Sequence, residues 1–272
     1  MIRSMFSAVS GLRNHQTMMD VVGNNIANVN TSGYKSQRAT FQESLFQVVR
    51  GATGGQPAQG GTNPMQLGLG TQMGSIDTVF GQGAPQVTGR VTDLAIQGDG
   101  FFVVTGPQGE ERYTRSGDFG FDSVQGAGNV GRLVTPEGLL VRGIDGNPIQ
   151  VDFDTYAGVT INQNGEVLGR EIATGDTQVL GTIQLAAFAN PNGLERVGGG
   201  LYAVTPASGD AQLSQAGNQA VGTVSAGTLE MSNVDLAQEF TSMILAQRGF
   251  QANSRTNTSS DEMLQELVNI KR

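Results

Sequence analysis

The sequence predicts an α+β fold with a long helix at each end of the chain and an antiparallel β domain between them. Glycine and proline are confined to the middle. All eight prolines lie between residues 51 and 227, and so do all of the 40 glycines except Gly11, Gly23, Gly33 and Gly249. Both ends instead carry apolar residues at every third or fourth position, the spacing of an amphipathic helix. The chain is therefore expected to have three parts.

The C-terminal stretch, residues 232–272, predicts the longest helix. Its apolar seam consists of Leu236, Phe240, Met243, Phe250, Leu264 and Val268. An unbroken helix of this stretch would be roughly 60 Å long, which is longer than the domain that the rest of the chain could build. Such a helix needs a partner beyond its own core.

Polar residues interrupt this seam at Ser254, Asn257 and Asp261. One interpretation is a break, because Ser259 and Glu262 have the spacing of a capping box that would start a separate final helix. The other is one continuous helix whose polar middle is satisfied by other chains or by water. The lack of Gly or Pro at this point favours the continuous helix.

The N-terminal stretch, residues 1–32, predicts a second amphipathic helix that ends at Gly33, a residue typical of the position after a helix C-terminus. Its seam includes Met5, Val9, Leu12, Met19 and Ile26. Four asparagines (Asn24, Asn25, Asn28 and Asn30) crowd its last turns, although Asn is a poor residue for a helix interior. These amides would either face water at a frayed end or bind neighbouring chains in an assembly.

These patterns predict a discontinuous organisation. Residues 1–35 and 230–272 form a terminal helical domain, and residues 36–71 are a linker and extended connector with a glycine-rich, flexible stretch at 51–61. Residues 72–229 form the β domain, whose two ends should lie close together because it is entered from one helix and left to another. Within it, two apolar runs around Gly98-Asp99-Gly100 predict a β-hairpin, Leu94–Ile96 with Phe101–Val104.

The composition argues against several classes of function. The net charge of −8, with no basic cluster, argues against a nucleic-acid partner. Cysteine is absent and His15 is the single histidine, so disulfides, thiolate chemistry and transition-metal sites are not expected. No apolar run is long enough to span a membrane, and the N-terminus lacks the apolar region of a cleaved signal peptide.

Fragments of catalytic motifs lack their required context. Asp118-Phe119-Gly120 matches the magnesium motif of kinases, and Ser32 with Lys35 matches a β-lactamase motif, but the companion motifs are missing. We therefore expect no catalytic residue, cofactor or metal, and no enzyme. Two other hypotheses remain: a β-domain enzyme, for which His15 and Asp99 are the best titratable candidates, and a surface adhesin built on residues 72–228.

Three stretches of the chain resemble the bacterial flagellar hook and rod (hook–basal body) proteins. Residues 10–35 resemble their N-terminal signature, 93–104 the start of their β domain, and 230–254 their C-terminal signature. The signature positions present here are Asn24, Asn25, Asn28, Gly33, Tyr34, Gln247, Arg248, Gly249 and Asn253.

The resemblance implies a structural subunit of the flagellum that self-assembles into a helical homopolymer. In this family the terminal helices pair, coiled-coil-like, as an inner tube with the β domain outside, and the two seams above would make the contacts. The implied partners are other copies, the rod, the hook cap, the hook–filament junction and the export apparatus. Export would follow the flagellar type III channel without a cleaved signal.

The hook is the family member that the two ends resemble most. Residues 5–16 and 264–272 look like those of short hook proteins. The expected function is thus a flexible joint that transmits motor torque to the filament in cell motility. The alternative is the distal rod of the basal body, since 272 residues do not accommodate the additional outer domain of longer hook proteins.

Overall fold

The computed structural model describes residues 2–55, 60–123, 129–218 and 221–270. Part of the predicted linker (56–59) and the ends of the two predicted terminal helices (Met1 and 271–272) lie outside the described residues. Helix α1 spans Ile2–Ala27 and helix α2 spans Leu236–Ile270. The strands described between them are β1 (Gln37–Glu43), β2 (Phe46–Arg50), β3 (Met65–Gly68), β4 (Thr71–Thr78), β5 (Pro85–Val87), β6 (Leu94–Gln97), β7 (Phe101–Thr105), β8 (Glu111–Thr114), β9 (Gly120–Ser123), β10 (Val130–Val134), β11 (Leu140–Val141), β12 (Gln150–Asp152), β13 (Tyr156–Ile161), β14 (Glu166–Glu171), β15 (Thr177–Thr182), β16 (Gln184–Ala187), β17 (Glu195–Gly198), β18 (Leu201–Ala203), β19 (Gln212–Gln215), β20 (Thr223–Ala226) and β21 (Thr228–Glu230).

The chain divides into two compact units. The helical unit contains Met1–Ala27, Gln37–Thr78 and Asp235–Arg272, and the β unit contains Asn28–Ser36 and Val79–Val234. The fold is mixed α and β, and the described strand pairs are antiparallel. The predicted combination of terminal helices and antiparallel sheets is therefore present.

Helix α2 is continuous over 35 residues, which corresponds to a length of roughly 50 Å. The predicted continuous helix is confirmed, and a break at Ser259 and Glu262 is wrong because both lie inside α2. Asp235 caps the N-terminus: its Oδ1 accepts hydrogen bonds from the backbone nitrogens of Ala237 at 2.8 Å and Gln238 at 3.3 Å.

Helix α1 is shorter than predicted, because it ends at Ala27 rather than near residue 32. Thr31 folds back on Asn28 through its backbone nitrogen and its hydroxyl, each 3.2 Å from an Asn28 oxygen. Asn favours such local bonds over the helical ladder, and the helix stops immediately before Asn28. Gly33 then takes a left-handed conformation with φ of 66°, and a Cβ there would lie 2.5 Å from the Ser116 nitrogen.

Residues 36–71, predicted as a linker and connector, contain paired strands in the structure. β1 pairs with β4, and β2 pairs with β3. Both of these ribbons belong to the helical unit, and β2 and β3 are exposed along their whole length. The extended backbone matches the prediction, whereas the sequence did not indicate the pairing. A role of this segment as a connector between domains stays a prediction.

The β unit is built on a sheet in which strands β12, β10, β11, β7, β8, β18 and β17 lie side by side, with β16, β19 and β9 attached to it. Two apolar clusters form its core. The larger includes Leu94, Ile96, Phe102, Leu133 and Leu185, and the smaller includes Phe101, Tyr113 and Tyr202. β5 pairs with β21, so the first and last strands of this unit are neighbours, as predicted.

The hairpin predicted around Gly98-Asp99-Gly100 is wrong. β6 pairs with β20, while β7 pairs with β8, β11 and β16. The two apolar runs are thus adjacent in sequence but find their hydrogen-bond partners elsewhere. Gly98 and Gly100 have φ of 105° and 131°, and the loop that they shape presents its carbonyl groups to an arginine rather than making a hairpin turn.

Candidate functional site

The predicted apolar seams are only partly covered within one chain. On α1, Met5, Val9, Leu12, Met19 and Ile26 are half-buried, as are Met243 and Leu264 on α2. The remaining seam residues of α2 are exposed: Leu236 by 40%, Phe240 by 50%, Phe250 by 36% and Val268 by 68%. Two further apolar residues, Ile244 and Leu245, are exposed on the same helix. A single chain therefore leaves much of the apolar surface of α2 in water.

Helices α1 and α2 contact each other through two glycines, which we call the glycine notches. A Cβ on Gly11 of α1 would lie 2.5 Å from the Nδ2 atom of Asn253, and a Cβ on Gly249 of α2 would lie 2.5 Å from the ring of His15. In each helix the glycine and the polar residue are four positions apart, so they share one face. The arrangement is reciprocal and antiparallel, and it fixes the register of the two helices.

The C-terminal signature therefore separates into two groups. Gly249 and Asn253 take part in the glycine notches, together with Gly11 and His15, which the sequence did not connect to them. Gln247 and Arg248 are exposed.

Asn25 is the best-buried residue of the N-terminal signature, with an exposed fraction of 0%. Its Nδ2 atom donates to the Gln37 carbonyl at 2.8 Å and to Glu239 Oε1 at 3.0 Å, and its Oδ1 atom accepts from the Gln37 nitrogen at 2.9 Å. One amide thus joins α1, the first residue of β1 and the first turn of α2. Of the other predicted asparagines, Asn24 is exposed and Asn28 is half-buried.

Burial raises the pKa of Glu239 and the negative charge of Asp235 adds to that shift, while the hydrogen bond from Asn25 opposes it. Inside the helical unit the Glu239 carboxylate therefore has less support for its charge than it would have in water.

A second group of signature residues lies in the β unit, around a buried cluster of three charges: Lys35, Arg115 and Glu230. Their side chains are exposed by 1%, 5% and 2%. Lys35 Nζ is 2.6 Å from Glu230 Oε1, and Arg115 Nε is 2.7 Å from Glu230 Oε2. One carboxylate thus bridges two cations that are 80 positions apart in the sequence.

Backbone groups complete this cluster. Arg115 donates to the carbonyl oxygens of Ile96, Gly98 and Gly100. Lys35 Nζ donates to the Gly81 carbonyl at 2.8 Å, and the Gly83 nitrogen donates to Glu230 Oε1 at 2.9 Å. Buried charges are tolerated when such bonds satisfy them, and the loop at residues 96–100 adopts its unusual shape around the guanidinium group.

The charges in this cluster are unequal, with two cations and one anion. Burial alone would raise the pKa of Glu230, but the charge of Arg115 and the hydrogen bonds from Lys35, Arg115 and Gly83 together lower that pKa below its usual value. Burial lowers the pKa of Lys35; the hydrogen bond and charge of Glu230 oppose this shift, and Arg115 adds to it. The charged form of the carboxylate is therefore favoured, whereas burial works against the charge of Lys35.

Tyr34 and Gly33 lie in the β unit next to Lys35. The Arg196 guanidinium carbon is 4.8 Å from the centre of the Tyr34 ring, a cation–π contact. Lys35 and Glu230 stood at the edges of the two signature stretches, but no pattern in the sequence pointed to Arg115. Only the fold brings it to Glu230.

The two residues considered for catalysis lie in different units, His15 in the helical unit and Asp99 in the β unit. Asp99 is exposed and lines a cavity of about 300 Å³ beside Lys35 and Arg115. Among the described residues, no group of His, Cys, Asp or Glu is arranged to hold a metal ion. Neither α1 nor α2, over its described length, is both long and apolar enough to cross a membrane.

Three family models match the chain in order. Residues 5–35 match the flagella basal body rod protein model, residues 95–169 match the flagellar hook protein FlgE/F/G D1 domain, and residues 225–270 match the flagellar basal body rod FlgEFG protein C-terminal model. The flagellar basal-body rod protein FlgG of Bacillus subtilis is 46% identical over 273 residues, and the match covers 100% of both chains. The chain belongs to the flagellar rod and hook protein family.

Other rod and hook proteins are also similar to this chain over its full length. FlgG of Borreliella burgdorferi is 36% identical over 275 residues, and the flagellar hook protein FlgE of the same organism is 29% identical over 444 aligned positions, each covering 100% of both chains. The family predicted from the three stretches is confirmed. The matching family models describe structural proteins and indicate no catalytic family.

The comparisons favour the alternative, a rod protein, over the expected hook protein. The rod relatives are more similar than the hook relative, and their alignments have nearly the length of this chain. The hook alignment is much longer than 272 residues, so the hook relative contains segments that this chain lacks. The similar ends misled the prediction because rod and hook proteins share them, while length separates the two.

Proposed function

We propose that this chain is the distal-rod subunit of the flagellar basal body and that its copies assemble into a helical tube. The observation that carries the proposal is the uncovered apolar surface of α2. In addition, the rod protein of Bacillus subtilis matches this chain over its whole length. Burial of apolar surface contributes about 25 cal/mol per Å², so neighbouring copies that cover this helix would stabilise both themselves and the tube.

The helices would supply the inner wall of this tube. Residues 1–35 and 230–272 would form the inner domain through coiled-coil-like packing of the seams, with the glycine notches setting the register within each subunit. The exposed signature residues Gln247 and Arg248 would contact other copies. The β unit has its own buried core and would sit outside the wall.

Other axial proteins of the flagellum would join the two ends of the tube, with other rod proteins on one side and the hook on the other. Subunits would reach the growing end through the flagellar type III export channel. The basis for these partners is membership in the rod and hook family, together with an acidic chain that has no basic cluster for nucleic acid.

The test of the tube is the variant Phe250→Asp. A carboxylate at this exposed apolar position would have to be buried without a partner in the tube, so we expect no polymer. All four tyrosines lie in the β unit, so native tyrosine fluorescence would show that this unit remains folded. Gln251→Asp, at the neighbouring exposed polar position, is the matched control and should polymerise. Normal polymer from Phe250→Asp would contradict the proposal.

The second candidate is the hook, which residues 5–16 and 264–272 favour by their resemblance to hook proteins. Electron microscopy of polymer grown from purified protein separates the two. Straight tubes support the rod, and tubes that curve support the hook.

A further inference from the structure

Three segments enter or leave the β unit, and they are hydrogen-bonded to one another. These segments are residues 28–36, 79–84 and 230–234. The Val79 nitrogen donates to the Ser36 carbonyl at 2.8 Å, the Ser36 nitrogen donates to Asn233 Oδ1 at 2.8 Å, and Asn233 Nδ2 donates to the Val79 carbonyl at 2.8 Å. The three segments therefore close a ring of bonds around Asn233.

The charged cluster lies beside this ring and joins the same three segments. Lys35 comes from the first, the Gly81 carbonyl and Gly83 nitrogen from the second, and Glu230 from the third. Arg115 attaches Glu230 to the loop at 96–100. A further backbone bond, from the Gly33 nitrogen to the Glu230 carbonyl, measures 2.8 Å.

We propose that Lys35, Arg115, Glu230 and Asn233 form a clasp in the free subunit, before any assembly. The clasp holds the segments 28–36 and 230–234 on the β unit. The segment from Asn28 to Ser36 is then part of the folded monomer, although the sequence grouped it with the terminal helix. Folding that depends on neighbouring copies is confined to the helical unit. This second statement rests on the proposed function, whereas the clasp in the free subunit does not.

Burial is the physical reason for the clasp. Lys35 and Glu230 are almost fully removed from solvent, so releasing either segment would leave a charged partner buried without compensation. Helices in proteins draw most of their stability from the packing of an apolar face, and a single chain leaves much of that face of α2 exposed. The backbone should therefore be ordered in the segments 28–36 and 230–234 of the free subunit, and labile in α1 before Ala27 and in α2 after Asp235.

Hydrogen exchange on the full-length monomer tests this boundary amide by amide. We expect the amides of Gly33, Ser36, Gly83 and Met231 to be protected to the same extent as those of the β-unit core, and the amides of α1 to exchange rapidly. Rapid exchange at Gly33 and Ser36 in the wild type, at the rate of α1, would overturn the proposal.

Two variants then separate the clasp from general folding. Lys35→Met leaves Arg115 and Glu230 as a neutral pair, so exchange at Gly33 and Ser36 should rise by at least about 10-fold, while the core amide of Val104 stays protected. Glu230→Gln leaves two buried cations without their anion and should raise exchange in all three segments by about 100-fold. Unchanged exchange at Gly33 and Ser36 in both variants would show that the charged cluster does not hold the segment 28–36 on the β unit.

Glu195→Gln is the control, because it removes an exposed carboxylate from a strand of the same unit and should leave the protection pattern unchanged. Failure of the clasp and failure of the proposed function are distinguishable. Exchange in the monomer reports the clasp whether or not the protein polymerises, and polymerisation of Phe250→Asp reports the tube whether or not the clasp exists.

Discussion

The helical unit and the β unit bury their apolar residues to very different extents. The β unit contains two clusters of buried apolar side chains, and its strands find antiparallel partners within the unit. The helical unit instead exposes Phe240, Ile244 and Leu245 on α2 and most of the apolar residues on β2 and β3. The difference indicates that one unit buries its core within a single chain, whereas the other leaves apolar surface exposed that further copies would cover in the proposed tube.

The pKa values of two carboxylates, the buried Glu230 and the half-buried Glu239, are shifted in opposite directions in the two units. In the β unit two cations and a backbone nitrogen lower the pKa of Glu230, so its charge is supported. In the helical unit burial raises the pKa of Glu239, which has an amide partner and a nearby carboxylate. The β unit therefore uses charge for its own stability, whereas the helical unit bears a charge that costs free energy.

The largest effect that would sharpen this comparison is expected from Arg115→Ala. The substitution removes the main cation that faces Glu230 and takes the arginine donor away from the carbonyl groups of Gly98 and Gly100. We expect the free energy of unfolding of the β unit to fall by about 3–5 kcal/mol. Urea unfolding followed by tyrosine fluorescence measures it, with the exposed Arg170→Ala as control. A loss similar to that of the control would mean that the cluster contributes little.

The next largest effect concerns the glycine notches in the helical unit. Gly249→Ala and Gly11→Ala place a methyl group 2.5 Å from side-chain atoms of His15 and Asn253 respectively, so these side chains must move. Overpacking costs about 1–3 kcal/mol, which the better helix propensity of Ala offsets by up to about 1 kcal/mol. Gly23→Ala is a matched control in α1, because a Cβ there meets nothing within 4 Å. It should stabilise the helix by up to about 1 kcal/mol relative to Gly.

Polymers of these variants should differ in the temperature at which they dissociate, measured by light scattering and by circular dichroism at 222 nm. We expect the order Gly23→Ala above the wild type, and Gly11→Ala and Gly249→Ala below it. Equal stabilisation by all three alanines would show that α1 and α2 do not meet at the glycine notches in the assembly.

Periodicity and turn residues predicted the two helices and the buried strands β6 and β7, because these signals are local. The continuity of α2 followed from the absence of Gly and Pro in its polar middle. Gly33, which was expected directly after the N-terminal helix, lies six residues beyond the end of α1. The hairpin at 98–100 failed for a physical reason: β6 and β7 are both buried apolar strands, and sequence adjacency does not specify which partners such strands take.

The sites were less predictable than the elements. Signature positions such as Asn25, Gly249 and Asn253 came from the family resemblance, but their partners Gln37, His15 and Gly11 are set by packing between distant segments. Arg115 lies three residues after Arg112 in a β-rich region, and nothing in its neighbourhood in the sequence distinguishes it from a solvated arginine. Its role follows only from the position of Glu230 in the fold.

A smaller effect is expected from pH, and it concerns the β unit alone. The folded pKa of Glu230 lies below its unfolded value, so this group contributes stability above the unfolded pKa, near 4.3 for a free Glu, and that stability is lost as the pH falls through the folded pKa. The free energy of unfolding of the wild type should therefore exceed that of Glu230→Gln at neutral pH, and the difference should shrink on acidification. Urea midpoints of both proteins at several values between about pH 3 and pH 6 would show this. A constant difference would mean that the pKa of Glu230 is the same in the folded and unfolded states.

The smallest effect, opposite in sign, is expected from Glu239→Gln in the helical unit. Its folded pKa is raised, so Glu239 favours the folded state at low pH, and this contribution is lost as the pH rises through the folded pKa. The glutamine oxygen can still accept the hydrogen bond from Asn25 without a charge to desolvate. Polymer of Glu239→Gln should dissociate at the same or a slightly higher temperature than the wild type at pH 7, with the difference vanishing near pH 4. A clear loss of stability at pH 7 would show instead that neighbouring copies bring a cation to Glu239. The opposite pKa shifts of Glu230 and Glu239 would then be a property of the single chain and not of the assembly.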